Sequence, residues 1–280
     1  MSTHASILGL IMLAFGPTRV SFASADQPAA VDPTALVRRA TEHRIDASRT
    51  HQPLRYLLRK TDGPHDNTKE IIETRDGDVA RLIALHGQSL DPQANQAELG
   101  RLNTLANHPE IQEHRHQREK KDEDRVNRLM RLLPDAFLYR FEGLVSCGAG
   151  QCYRLSFEPN PHFDPPDLEA GIFRGMAGEV WIDQAQERLT RLNARLISDV
   201  DFGWGIIGKL DKGGTIQIEQ ADIGGHDWEV TGLKVNMRGK AMMVKSLNFQ
   251  ITEEASHFSW VPDGVDYRKA IQLLEGSSEP

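Results

Sequence analysis

The chain has few aromatic residues and no excess of basic ones. Phe, Trp and Tyr make up 6% of its 280 residues, so its core must be built mainly from aliphatic side chains. The formal net charge of −7 argues against a general binder of nucleic acid or of anionic membranes, because both need a basic surface. The other proportions, 39% hydrophobic and 26% charged residues, are those of an ordinary globular protein.

Long hydrophobic runs are missing as well. The one compact apolar run, Ile7–Phe15, is too short to span a bilayer as a stable helix. Ala23, Ser24 and Ala25 follow it with the small-x-small pattern of a cleavage site, although no Lys or Arg precedes the run. We expect residues 1–25 to be a signal peptide cleaved after Ala25, which makes the mature chain a soluble periplasmic or secreted protein. A buried N-terminal helix is the alternative.

Cysteine is scarce, with Cys147 and Cys152 as the only two. In an exported protein an even pair predicts a disulfide, and Gly148 and Gly150 fit the tip of a hairpin. A redox-active pair is the alternative, but the spacing is not C-x-x-C and no helix start follows to lower a thiol pKa. Two thiols alone do not make a metal site, and we expect neither a metal nor a cofactor.

Recognisable catalytic motifs are lacking too: there is no G-x-S-x-G elbow, no H-E-x-x-H and no P-loop. Residues 203–208, GWGIIG, match the dinucleotide pattern G-x-G-x-x-G, but turn residues follow where that mechanism requires a helix. Asp199 and Asp201 lie two apart on a predicted strand and could form an acid–base pair, so a hydrolase is the most distant alternative. We expect that the protein is not an enzyme.

Most of the predicted elements are β-strands. Three strand-like stretches precede residue 90, with hairpin signals at Asp62-Gly63-Pro64 and Asp76-Gly77-Asp78. Seven more follow residue 136, which makes about ten strands, enough for one large, strongly curved antiparallel sheet. The predicted strands are 55–61, 69–74, 79–86, 137–145, 153–157, 178–182, 189–202, 215–220, 229–237 and 242–252.

Four helices are predicted. Asp32-Pro33 reads as the cap and first residue of a helix that reaches about residue 46, and Asp91-Pro92 begins a second one. Another runs from about residue 111 to 133 and stops at Pro134, and a short helix at 267–274 closes the fold.

The helix at 111–133 divides into two halves. Its end carries Val126, Leu129, Met130 and Leu133 at helical spacing, which predicts that this apolar stripe docks on the rest of the protein. The residues before them are almost wholly charged. We expect the charged helix Gln112–Arg128 to project into solvent, where it could bind a protein partner.

The longest alternating run is residues 189–202, which predicts a single long strand with one dry and one wet face. The dry face, together with two residues of a later strand, is the predicted ligand-binding surface. Its members are Leu192, Ala194, Leu196, Val200, Phe202, Leu247 and Phe249.

From Phe137 to about Phe258 the segments FLYRFEG, RLSFEPNP, GMAGEVWIDQAQERLTRLNARL, FGWGIIGKLDKGG and GKAMMVKSLNFQI resemble an exported branch of the lipoprotein-carrier superfamily, with its LolA/LolB-like fold. The resemblance implies an incomplete barrel whose concave apolar face is covered by helices and takes up acyl chains. It also implies, through a related branch, a sensor of envelope stress that binds a sigma-factor regulator.

We therefore expect an α+β fold with a half-barrel of antiparallel strands and helices over its concave face. Residues 26–280 are expected to form a single domain with a helical insertion at about 90–133. The expected function is non-catalytic binding of a lipid or acylated ligand, with lipoprotein or lipid trafficking as its setting. An envelope interaction or stress-sensing module is the alternative.

Overall fold

A computed structural model describes residues 31–276, apart from residues 51, 149, 203–207, 226 and 242–244 and the side chains of residues 48–50. The predicted signal peptide, 1–25, and the GWGIIG motif up to residue 207 lie outside the described residues. From Asp32 onward the chain forms one compact unit, and the prediction of a single domain over 26–280 stays a prediction. None of the described helices has the length and apolar composition needed to cross a bilayer.

The described residues form 13 strands of one antiparallel sheet, where about ten were expected. The strands are β1 (Leu54–Asp62), β2 (His65–Ile72), β3 (Val79–Leu85), β4 (Gln88–Ser89), β5 (Phe137–Cys147), β6 (Gly150–Pro159), β7 (Met176–Asp183), β8 (Leu189–Leu196), β9 (Val200–Phe202), β10 (Gly208–Leu210), β11 (Thr215–Asp222), β12 (Trp228–Ala241) and β13 (Lys245–Trp260). Their order is β4-β3-β2-β1-β13-β12-β11-β8-β7-β6-β5, with β9 attached through β10 to β12. Because β4 and β5 are edges, the sheet is not closed into a barrel.

The helices are α1 (Pro33–Thr50), α2 (Pro92–Asn107), α3 (Pro109–Ala136) and α4 (Tyr267–Glu275), and a 3-10 helix, η1, covers Ala170–Gly175. The α+β class is confirmed. Both predicted caps are confirmed as well: the Asp32 carboxylate accepts the backbone N–H of Thr34 at 3.0 Å, and that of Asp91 accepts from Ala94 at 2.7 Å. The expected end of α3 at Pro134 is wrong by two residues, because a proline in the last turn removes only one helical hydrogen bond.

The prediction of one long strand over 189–202 is wrong, since β8 ends at Leu196 and β9 begins at Val200. The chain bends between them, where the Asp199 carboxylate accepts the backbone N–H of Lys212 at 2.8 Å and pairs with Lys209 Nζ at 2.6 Å. A short acidic side chain that bonds nearby backbone favours a turn over a continuous strand. Alternation alone did not reveal this competing contact.

Side chains alternate between two faces of the sheet, and helices cover both faces. The register places Leu192, Ile218, Leu233 and Tyr56 on one face, which we call the cavity face. The stripe of α3 and Arg44 of α1 lie over this face. Ile72 and its neighbours point to the opposite face, where α2 and α4 pack.

The opposite face carries a closely packed cluster that we call the filled core. Each of its eight members is at most 4% exposed, so α2 and α4 exclude solvent from this face of the sheet. The filled core consists of Ile72, Val79, Leu102, Leu105, Val261, Ala270, Ile271 and Leu274.

The expectation that the charged half of α3 projects into solvent is wrong for one side of its first turns. Gln112 is 2% exposed, and its Nε2 donates to the Asp76 carbonyl at 3.0 Å. Glu119 accepts the backbone N–H of Asp78 at 3.1 Å, so α3 lies against the turn between β2 and β3. That turn has backbone polar groups that need partners, and the polar side chains of Gln112 and Glu119 supply them. The residues of this half that remain exposed are 113, 114, 117, 118 and 120–126.

Candidate functional site

A cavity of about 550 Å³ lies between α3, η1 and the cavity face of the sheet. This volume is within the usual range of ligand pockets, about 300–1,000 Å³. All but five of the described residues that line it are apolar: Val126, Leu129, Met130, Leu133, Phe137, Phe157, Leu168, Ile172, Phe173, Met176, Leu192, Phe202, Leu210, Ile216, Ile218, Ala241 and Leu247. The five others are Gly208 and the charged residues Arg125, Glu169, Lys209 and Lys240.

The sheet wall of the cavity follows from the strand register. Ile218 of β11 stands directly opposite Leu192 of β8, so their side chains share a face, and Ile216 lies two residues along on the same face. Leu247 of β13 extends this apolar wall across β12. One aliphatic surface therefore runs over several strands.

The helical wall is the apolar stripe of α3. Val126, Leu129, Met130 and Leu133 all border the cavity, and Val126 is 52% exposed. The sequence predicted that this stripe docks, whereas in the structure it faces a space that the sheet does not fill. At one end the cavity is bounded by aromatic rings, with Phe137 4.7 Å from Phe157 and 5.4 Å from Phe173 between ring centroids.

Of the seven residues predicted to bind a ligand, Leu192, Phe202 and Leu247 border the cavity. Ala194, Leu196 and Val200 are buried at 5%, 1% and 6% exposure, and they are not among the lining residues. Phe249 is 41% exposed and also lies outside the lining. As ligand contacts, all seven remain predictions.

Sequence reasoning missed the contribution of β11. Ile216 and Ile218 both line the cavity, and the alternating segment TIQIEQ already contained the signal, since its two isoleucines fall on one face. The stripe of α3 was recognised, but a periodic stripe cannot show whether the surface opposite is packed or empty.

The charged residues that line the cavity place their side chains in different positions. Lys209 and Lys240 are cross-strand partners, and their positions alternate with Gly208, Leu210 and Ala241, so their side chains belong to the opposite face. Arg125 and Glu169 stand at the rim, 2.9 Å apart. Arg128 binds both Glu169, at 2.6 Å, and Asp167, so the rim holds a network of two arginines and two acids.

The carboxylate pair considered for acid–base chemistry is not part of this cavity. Asp199 hydrogen-bonds Lys209, and this contact holds the pKa of Asp199 below its usual range. Asp201 stands opposite Lys209 in the β9–β10 pair. An acid with a lowered pKa stays ionised and is a poor proton donor near neutral pH.

The predicted disulfide between Cys147 and Cys152 is confirmed, at the tip of the β5–β6 hairpin. The Asp183 carboxylate comes within 4.8 Å of both sulfur atoms. Because the two sulfurs are bonded to each other, this group offers no thiolate to a metal.

A second cavity of about 220 Å³ also lies on the cavity face, and its lining is mixed. Tyr56 and Leu58 form part of its floor, and burial raises the pKa of the Tyr56 hydroxyl. Two of its carboxylates have protein partners: Glu253 binds Lys60 Nζ at 2.7 Å, and Glu73 accepts the Leu54 backbone N–H at 2.8 Å. The larger cavity is therefore the better candidate for an apolar ligand.

No protein-family model and no curated protein matches this sequence. Among solved structures, a DUF1329 family protein from Desulfovibrio piger is 13% identical, over 84% of this chain and 96% of that chain, with a TM-score of 0.27. A LolA superfamily protein from Nitrosomonas europaea is 9% identical, over 84% and 96%, with a TM-score of 0.25. An outer membrane lipoprotein-sorting protein domain from Vibrio parahaemolyticus is 10% identical, over 85% and 99%, with a TM-score of 0.26. Two of the three, the LolA superfamily protein and the lipoprotein-sorting protein domain, bear names that correspond to the superfamily that the sequence resembles.

Proposed function

We propose that this protein is a non-catalytic binding protein that holds the acyl chain of a lipid or acylated molecule in the 550 Å³ cavity. The observation that carries the proposal is the cavity itself, which has an aliphatic wall on the sheet and the α3 stripe facing it. Removing apolar surface from water contributes about 25 cal/mol per Å², so one chain buried there would bind usefully.

The side chains around the cavity support binding over catalysis. The described lining contains no Ser, Thr, Cys, His, Tyr or Asp, and the side chains of its two lysines, Lys209 and Lys240, belong to the opposite face of the sheet. Among the described residues, no nucleophile with a base beside it therefore faces the cavity. Its one carboxylate, Glu169, is bound to Arg125 and Arg128. A ligand in this space would meet methyl, methylene and aromatic groups.

The test is a titration with a fluorescent fatty acid, using Met130→Trp to fill the cavity. Met130 lines the space and its neighbour Arg131 is exposed, so Arg131→Trp adds the same ring outside as a matched control. We expect Met130→Trp to weaken probe binding by roughly tenfold or more through lost apolar burial, and Arg131→Trp to leave it unchanged. Thermal unfolding of both variants checks that they fold.

A chain that binds no probe, and that carries no lipid in organic extracts analysed by mass spectrometry, would overturn the proposal. Equal loss in both tryptophan variants would place the binding elsewhere. Export, and a setting in lipoprotein or lipid trafficking, remain predictions from the sequence.

Binding of a protein partner through the charged helix also remains a prediction. Because Gln112 and Glu119 bind the β2–β3 turn, the test should use exposed residues of the helix instead. A deletion of residues 112–124 would remove contacts to the β2–β3 turn and so disturb the fold. Charge-reversing changes at Lys121 and Glu123, which are exposed, would test the partner without that effect.

A further inference from the structure

The rim of the cavity has a mouth formed by exposed apolar residues. Val126 of α3 and Leu168, just before η1, both line the cavity and are 52% and 50% exposed. Apolar side chains half exposed at the edge of an apolar cavity mark where a chain would pass from the interior to water. The polar end of an amphiphilic ligand would therefore lie beside these two residues.

Arg125 stands at this mouth, next to Val126 in the chain. Its side chain is 56% exposed, and one terminal nitrogen pairs with Glu169 Oε1 at 2.9 Å. A guanidinium carries five N–H donors in a planar fork. Within the part of the chain that the structure describes, this is the one hydrogen-bonding or ionic contact of Arg125, so most of its donors face solvent.

Arg128 differs from Arg125 in this respect. It binds Asp167 through one terminal nitrogen and Glu169 through the other, at 2.6 Å for Glu169, so both ends of its fork are occupied. Arg128 thus contacts both rim acids, whereas Arg125 contacts Glu169 alone. Arg125 is left as the basic group at the mouth that can turn to a ligand.

We propose that the natural ligand is an amphiphile with an anionic oxygen head, a carboxylate or a phosphate, which Arg125 binds at the mouth while the chain fills the cavity. This rests on the proposed function. Arginine matches both heads, because two of its N–H groups can bond two oxygens of one anion. Lys209 and Lys240 do not compete for this role, since their side chains belong to the opposite face.

The test compares ligands that share one sixteen-carbon chain, in competition with a fluorescent probe at pH 8. The four ligands differ only in their polar head: they are hexadecanoate, hexadecyl phosphate, neutral hexadecanol and cationic hexadecylamine. We expect the two anions to bind roughly fivefold tighter than the alcohol, because a half-exposed charge-assisted contact adds modestly to affinity. The affinities of hexadecanoate and hexadecyl phosphate, compared with each other, show which anionic head is preferred.

Arg125→Gln should remove the advantage of the anions over hexadecanol, with all affinities measured in that variant. Arg131→Gln, an exposed arginine on the same helix outside the lining, is the matched control and should keep the advantage. Equal binding of all four heads, or a preference for the amine through Glu169, would overturn this inference while the proposed function stands. Failure of every sixteen-carbon ligand to bind would instead count against the proposed function.

Discussion

The filled core and the cavity lie on opposite faces of one sheet, and helices with apolar side chains cover both. In the filled core, α2 and α4 bring Leu102 and Leu274 to 0% exposure against the sheet. At the cavity, Leu129 and its neighbours on α3 are equally apolar, but they border about 550 Å³ of space. The two regions therefore differ in how closely they pack and not in side-chain type.

The anchoring of α3 explains why it does not move closer. Near its start, Gln112 and Glu119 bind the β2–β3 turn, and at its end the helix runs directly into Phe137 of β5. Arg38 of α1 adds an ion pair to Asp135 at 2.8 Å. A helix fixed at both ends cannot settle onto the sheet, so its stripe stays above an open space.

The largest expected effect is the difference in unfolding free energy lost when one leucine of each region is changed to alanine. Leu274→Ala in the filled core should lower the free energy of unfolding by about 2–5 kcal/mol, because it leaves a cavity where none existed. Leu129→Ala should lower it by about 1 kcal/mol or less, since that side chain already borders empty space. Urea unfolding monitored by circular dichroism measures both values. Equal costs would mean that the cavity is closed in solution.

A glycine pair tests the anchor of α3 more directly. Gly77 has φ of 97°, and a Cβ there would lie 2.9 Å from His116 Cβ of α3. Gly77→Ala should cost about 2–4 kcal/mol, from both the backbone conformation and the crowding.

Gly213→Ala is the matched control for that change. Gly213 has φ of 92°, close to that of Gly77, and open space around its Cβ position, so it carries the backbone cost alone, about 1–2 kcal/mol. The excess cost at Gly77 measures how firmly α3 is held against the turn. If the two substitutions cost the same, the anchor is not rigid, and the explanation for the open space fails.

The smallest expected effect concerns α1, which also covers the cavity face. Arg39 binds Glu187 in the β7–β8 turn at 2.7 Å, and this hydrogen bond lowers the pKa of Glu187. A lowered folded-state pKa gives stability that is present above the unfolded value, about 4.3, and is lost as the pH falls through the folded value. Glu187→Gln should therefore cost about 0.5–1 kcal/mol at pH 7 and nothing once the pH is below the folded pKa.

The control for this measurement is Glu158→Gln on β6, an exposed position with no ion pair among the described residues. It should change stability little at either pH. A Glu187→Gln cost that persists unchanged in acid would show that the contact is not ionic in origin.

The sequence allowed prediction of the features that depend on local pattern. Capping aspartates, turn glycines and alternating residues predicted α1, α4, the disulfide and most strands close to their observed bounds. The break at Asp199 escaped prediction, because it depends on contacts to Lys209 and Lys212. The buried role of Gln112 escaped for the same reason, since its partner turn is distant in sequence.

The cavity is the feature that could not be predicted from local sequence patterns. The stripe of α3 and the dry face of residues 189–202 were both recognised as apolar, and three of the seven predicted binding residues border the cavity. Whether two apolar surfaces touch or stand apart is set by how the ends of α3 are fixed. That depends on contacts between residues far apart in the chain, which no local periodicity encodes.

The most direct measurement is a crystal structure of the protein grown with hexadecanoate. We expect electron density for the chain between Leu129 and Leu192, with the carboxylate beside Arg125. A ligand-free cavity at saturating hexadecanoate, or a chain bound at any other surface, would contradict the central claim that this space is the binding site.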